Sequence, residues 1–380
     1  MKDKIIKYLI AIPLTAIALL PWINIKIPLL VNSEFWFWMI LINGFLSFAF
    51  LYSKAGIPEK LIIVYSFINC FFSKAPHLSF TAQTLLIIMA YFYLLCLELK
   101  DYRFIFRTIQ CIFLVNMVLI LNQMAGRDVL LNFGKDIPTY IGNIGNPMIL
   151  SSFLVILGSF LIIYRPLNLV LIAIIAFIFN STGATLSLIV AGGTYIYCKF
   201  KKRGKQIVFV SLTILITCFV ADNKIEEFYQ LKGGRFPIWR KTVELTNQHP
   251  ITGWGIATYK VIFPQLSKEM CSTYYGMPGP WEFEGTTGVW VAWRQTHNCW
   301  LQILFEMGYI GFALFLIYVG SLIYYFIVAQ KSKIVMLSFA GLVMIGANMM
   351  IHFPTRTLQC VPIIVCFVAY YKRVMKGELQ

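Results

Sequence analysis

The side chains that could do chemistry gather late in the chain. His297 opens HNCWLQILFEMGYIG (residues 297–311), where a polar stretch runs into an apolar one. A histidine at such a boundary, at the start of a helix whose first amides favour an anion nearby, suits a general base near neutral pH, since its unperturbed pKa is about 6.5. A satisfied structural histidine fits the same position. Upstream, GGRFPIWRKTVELTNQHPITGWGIATY (residues 233–259) holds Arg235, Trp239 and Arg240 on a short helix expected to start near Pro237 and to end before His249-Pro250, with a glycine turn on either side. Arginine stays charged and grips phosphate oxygens through two parallel N–H groups, so Arg235 and Arg240 suit an anionic leaving group. The same composition also reads as an interfacial helix whose Trp and Arg side chains snorkel. Trp239, Trp254, Trp281 and Trp293 fit stacking on sugar rings and, equally, anchoring at a membrane surface.

Glu306 lies inside an apolar run and is expected to be paired rather than lipid-facing, with a partner the sequence does not name. The acids of the polar stretch, Glu226, Glu227, Glu244, Glu269, Glu282 and Glu284, form no metal-ligand spacing, and no Cys/His pattern there resembles a zinc site, so neither metal nor other cofactor is expected. Seven of the nine cysteines sit in apolar runs; Cys271 and Cys299 lie on or beside the polar stretch, where pairing between them is open.

These residues need a scaffold, and composition says which kind. Of 380 residues, 59% are hydrophobic and 13% charged, more apolar surface than a soluble domain can cover. Apolar runs near the length of a membrane span recur at about 5–23, 35–53, 60–73, 79–99, 102–122, 146–164, 167–180, 183–198, 206–221, 299–329, 333–351 and 357–371. The expected fold is an all-α integral membrane protein of about twelve transmembrane helices with one large extracytoplasmic loop containing short helices. Nine helices would occupy residues 1–221, the loop 222–298, and three helices with a tail 299–380.

The net charge of +16 follows the same plan, because the basic residues cluster beside apolar runs rather than on a nucleic-acid-binding face. With the N-terminus inside, nineteen Lys and Arg fall on the inner side against five in short outer loops, while eight sit in the large loop, which is exempt from the rule. Both termini are therefore expected in the cytoplasm and the large loop outside. No nucleotide-binding glycine loop occurs on the inner side, which argues against ATP or a sugar nucleotide as direct substrate.

At this point the residues resemble the O-antigen ligase and O-antigen polymerase superfamily of bacterial envelope glycosyltransferases. Gly234-Arg235 with Trp239 four residues on, the turn His249-Pro250, Gly253, Gly255, and His297-Asn298 followed by Gly308 and Gly311 are similar to its motifs in its order. GNIGNPMILSSFLVIL (residues 142–157) is a weaker likeness. The resemblance implies transfer of a glycan from undecaprenyl diphosphate to a sugar hydroxyl, of a lipid A core or a growing glycan, at the outer face of the inner membrane, without a metal. His297 would be the base, with Arg235, Arg240, Trp239 and Asn298 binding substrate.

One departure stands out. Ser181-Thr182-Gly183 occupies the place where many family members carry a Ser-Arg pair, so the arginine the resemblance would place there is missing and another cation could compensate for that phosphate contact. Arg127, Lys135, Arg294 and Arg356 are the candidates, and spacing does not choose among them. The same motifs serve a ligase, a polymerase joining repeat units and a protein O-oligosaccharyltransferase. A transporter or flippase should show inverted repeats and polar or charged residues at mid-span, whereas such residues are few and no repeat is evident.

Overall fold

A computed structural model describes residues 2–19, 33–124, 147–164, 170, 173–174, 181–199, 235–267, 296–330, 332–352, 354–356 and 359–379. Among them there is no strand. The helices are α1 (Lys2–Leu19), α2 (Ser33–Ala49), α3 (Ile57–Phe71), α4 (Pro76–Glu98), α5 (Arg103–Met124), α6 (Pro147–Tyr164), α7 (Thr182–Lys199), α8 (Arg235–Thr246), α9 (Tyr259–Leu266), α10 (Cys299–Val328), α11 (Lys333–Ile351) and α12 (Val361–Met375). All but α8 and α9 fall on expected spans; span 206–221, and span 167–180 apart from residues 170 and 173–174, lie outside the described residues. The helices α4, α5, α10 and α11 are long and apolar enough to cross a membrane, and α1, α2 and α6 carry shorter apolar stretches. Large apolar side chains such as Phe45, Ile57 and Ile327 point outward, as a lipid-facing surface requires, and the chain is a membrane protein.

The helix ends follow local chemistry. Proline stands in the first turn of α3 and of α12, where its missing N–H costs nothing. Ser332 caps α11 by accepting from Val335 N at 3.3 Å. Asp101, between α4 and α5, accepts from Arg103 N and pairs with Lys7 at 3.1 Å. The Arg103 amide first, and Lys7 after it, hold the Asp101 carboxyl below its ordinary range.

The described helices sort into two compact units. The first comprises residues 1–28, 91–208 and 323–380, with α11 packed against α6, α7 and α12. Gly341 admits the Phe367 ring and the Ser159 carbonyl where a Cβ would stand. Ser152 donates to Asn348, and Ser151 to Ser181 at 2.9 Å. The second unit comprises residues 29–90 and 209–322, and holds α2, α3, α8, α9 and most of α10.

Candidate functional site

The loop segment folds because α8 has one apolar face. Ile238, Thr242 and Leu245 recur at helical spacing and are buried, whereas Arg240, Val243 and Glu244 are exposed. With Trp254, Tyr259, Ile262, Phe263 and Phe305 they form a small core joining α8, α9 and the start of α10. Its polar atoms are satisfied within it: Trp254 Nε1 donates to Leu245 O at 3.0 Å, and the Tyr259 and Thr242 hydroxyls meet at 3.1 Å. Burial pushes the Tyr259 phenol well above its ordinary pKa, so it stays protonated. Trp239 packs against this core and donates from Nε1 to Thr296 O at 2.9 Å, next to His297.

The span expected over 299–329 is not one continuous helix. At Gly308 the backbone leaves helical geometry (φ 65°, ψ −172°), dividing α10 into a short first piece, residues 299–307, and a longer second one. A break in an apolar helix frees amides and carbonyls that lipid cannot satisfy. The turn 249–258 takes them up. Trp254 N donates to Phe305 O at 3.0 Å, Gly255 N to Glu306 O at 2.8 Å, and Tyr309 N to Pro250 O at 2.7 Å. The Tyr65 hydroxyl of α3 donates to Met307 O at 2.8 Å.

Gly253 (φ 70°) and Gly308 approach so closely that a Cβ on either would fall on the other's backbone. The second and third sequence motifs are thus two halves of one junction. Asn69 Nδ2 of α3 donates to Thr252 O at 2.5 Å, Ser79 Oγ of α4 to Ile256 O at 2.8 Å, and Lys74 N, between the two helices, to Trp254 O at 3.0 Å.

His297 stands half-buried just before the short piece, in left-handed backbone (φ 53°), a conformation a non-glycine residue holds only when its surroundings impose it. Thr296 supplies part of that constraint, its Oγ1 accepting from Asn298 N at 3.0 Å. Asn298 is the N-cap of α10, with Oδ1 accepting from Trp300 N at 3.0 Å and Leu301 N at 3.1 Å.

Glu306, 1% exposed, is paired as expected, and its partners are Gln302 Nε2 at 3.0 Å and Ala257 N at 2.9 Å. His249 packs edge-on to Trp254, ring centroids 4.1 Å apart. Burial first, and then the charge of Lys74, hold its imidazole below the ordinary 6.5.

The fold therefore brings together Trp239, His297 and Asn298, and it places Arg235 one helical turn before Trp239 on α8. Arg240 lies on the exposed side of α8. Arg356 ends a short 3-10 turn, Pro354–Arg356, in the first unit. Arg294, Arg127, Lys135 and Cys271 lie outside the described residues. Sequence reasoning passed over Tyr65, Asn69, Ser79 and Gln302, whose one signal was polarity inside apolar runs.

Residues 167–316, well under half of the chain, match the family model described as O-antigen ligase. No curated protein matches the chain.

Proposed function

Starting from residues 167–316 as a segment of the O-antigen ligase superfamily, we propose that the protein is a membrane glycosyltransferase of ligase type, which moves a glycan from undecaprenyl diphosphate onto an acceptor hydroxyl at the outer face of the bacterial inner membrane. The observation that carries this reading is the Trp239–Thr296 hydrogen bond. It ties the helix that starts at Arg235 to the residue preceding His297, which supports reading Arg235 and His297 as parts of one site.

In the proposed reaction His297 takes the acceptor proton as the hydroxyl oxygen bonds to the anomeric carbon. The bond from that carbon to the phosphate oxygen breaks, and undecaprenyl diphosphate leaves with the electron pair. Arg235 and Arg240 neutralise the charge that grows on the leaving group, which removes the need for a metal. Asn298 offers Nδ2 to a sugar or phosphate oxygen. Since Trp239 spends its N–H on Thr296 O, what it presents to a sugar is a ring face.

The test is glycan transfer by the protein in lipid vesicles, with a lipid-diphosphate-linked glycan as donor and lipid A core, free repeat units and an acceptor peptide in separate arms. Transfer to lipid A core marks a ligase, to repeat units a polymerase, and to peptide a protein glycosyltransferase. His297→Ala should lose about 10²- to 10⁴-fold in rate while still binding donor. Near-normal turnover in that variant would show that His297 is not the base.

A further inference from the structure

The break at Gly308 puts non-helical backbone between the short first piece of α10 and the rest, so the direction of that piece depends on what it contacts. We infer that Glu306 is the positioning residue that fixes this direction, clamping the piece to the turn 253–258 and thereby setting the pose of His297. The role rests on the proposed transfer reaction.

Glu306 grips the turn twice. Its main-chain carbonyl accepts from Gly255 N at 2.8 Å, and its Oε2 accepts from Ala257 N at 2.9 Å. Ala257 holds left-handed backbone (φ 62°), rarely adopted with a side chain present, and this turn delivers its amide to the carboxylate. Oε1 accepts from Gln302 Nε2 at 3.0 Å, one turn nearer the helix start. One turn further back is Asn298, the N-cap. Asn298, Gln302 and Glu306 are all buried and recur every four residues, so one polar face runs from the residue beside His297 down to the clamp.

Glu306 lies eight residues on from Asn298, about 12 Å along the axis. A carboxylate that far down does not reach the hydroxyl that His297 would deprotonate, so it acts through the helix it holds. The clamp needs hydrogen-bond acceptors and does not need negative charge. Gln302 Oε1 is buried and has no partner among the described residues. In Glu306→Gln a flip of the Gln302 amide turns its Oε1 to accept from the new Nε2, and the new amide oxygen stays on Ala257 N.

The experiment compares wild type, Glu306→Gln, Glu306→Leu and Gln302→Leu by transfer kinetics and by hydrogen exchange of the 253–258 amides. Glu306→Gln should keep turnover within a few fold and keep the Ala257 amide protected. Glu306→Leu should lower kcat by about tenfold or more with little change in donor KM, and should speed exchange at Ala257. Gln302→Leu should fall between. If Glu306→Leu fails to fold, Glu306→Gln still decides: a dead enzyme with a protected amide would mean that the charge itself acts, overturning the proposal. Full activity or unchanged exchange in Glu306→Leu would overturn it as well. Should no donor and acceptor pair support turnover in wild type, the functional reading falls, whereas exchange at Ala257 still reports on the clamp.

Discussion

Arg235 opens α8 and is separated from Trp239 by one turn, so a change there tests phosphate binding without touching the indole bond to Thr296. A charge-assisted hydrogen bond is worth about 1.5–3 kcal/mol and about 1.4 kcal/mol is tenfold in rate, so Arg235→Lys, which keeps the charge and loses the planar fork, should lower transfer about tenfold or more. Wild-type turnover in that variant would reduce Arg235 to a loop anchor.

His249 makes a second residue-scale test. Its imidazole is held below 6.5 by burial and by Lys74, so the native state binds fewer protons than the unfolded chain as pH drops past that value. The stability it contributes is whole above about pH 6.5 and is lost as pH falls through the lowered pKa. Melting temperature measured against pH should therefore decline less on the acid side in His249→Asn than in wild type; parallel curves would remove His249 from the account. Trp239, His297 and Asn298 drew attention in the sequence because their types and spacing are local signals, and the fold sets Trp239 against the residue before His297. Tyr65 and Asn69 were not legible in this way, since their partners Met307 and Thr252 lie some two hundred positions on and no short-range pattern marks such pairs.

At the scale of elements, apolar run length located the helices well and could not register what happens inside α10. Gly308 reads as a small residue for close packing, and close approach is indeed what it permits, but to a loop turn rather than to another straight helix. The break depends on partners supplied by residues 249–258 and by α3, which the local sequence of α10 does not contain. Gly308→Ala should be far costlier than an ordinary helical substitution, because the new methyl meets Ile251 O and Gly253 N and the backbone stays at positive φ. Gly320, in the same helix, has nothing within 4 Å of a Cβ, and Gly320→Ala should be neutral or stabilising by up to about 1 kcal/mol. Thermal unfolding of both variants in detergent checks the contrast, and equal shifts would deny the junction its importance. The expected start of α8 near Pro237 was two residues late, as helix ends commonly are.

For the whole molecule, the charge asymmetry of nineteen against five remains the argument for orientation. On a background without native cysteines, Gly276→Cys should react with an impermeant thiol reagent on intact cells, and Lys202→Cys only after permeabilisation. The reverse pattern would place the large loop in the cytoplasm and end the proposed chemistry with it. Composition and periodicity sufficed for an all-helical membrane chain because lipid leaves the backbone so few choices. They said nothing of how a broken helix would be held.

That break has a mechanical consequence. A helix anchored at both interfaces answers a thicker or thinner bilayer by tilting, and whatever rides on its end moves with it. The piece carrying His297 is instead fastened to a folded loop and to α3 through Gly253, Ala257 and Tyr65, with Gly308 as a joint beneath it. Tilt of the rest of α10 with bilayer thickness would then be taken up at the joint, leaving the histidine's register with the loop unchanged.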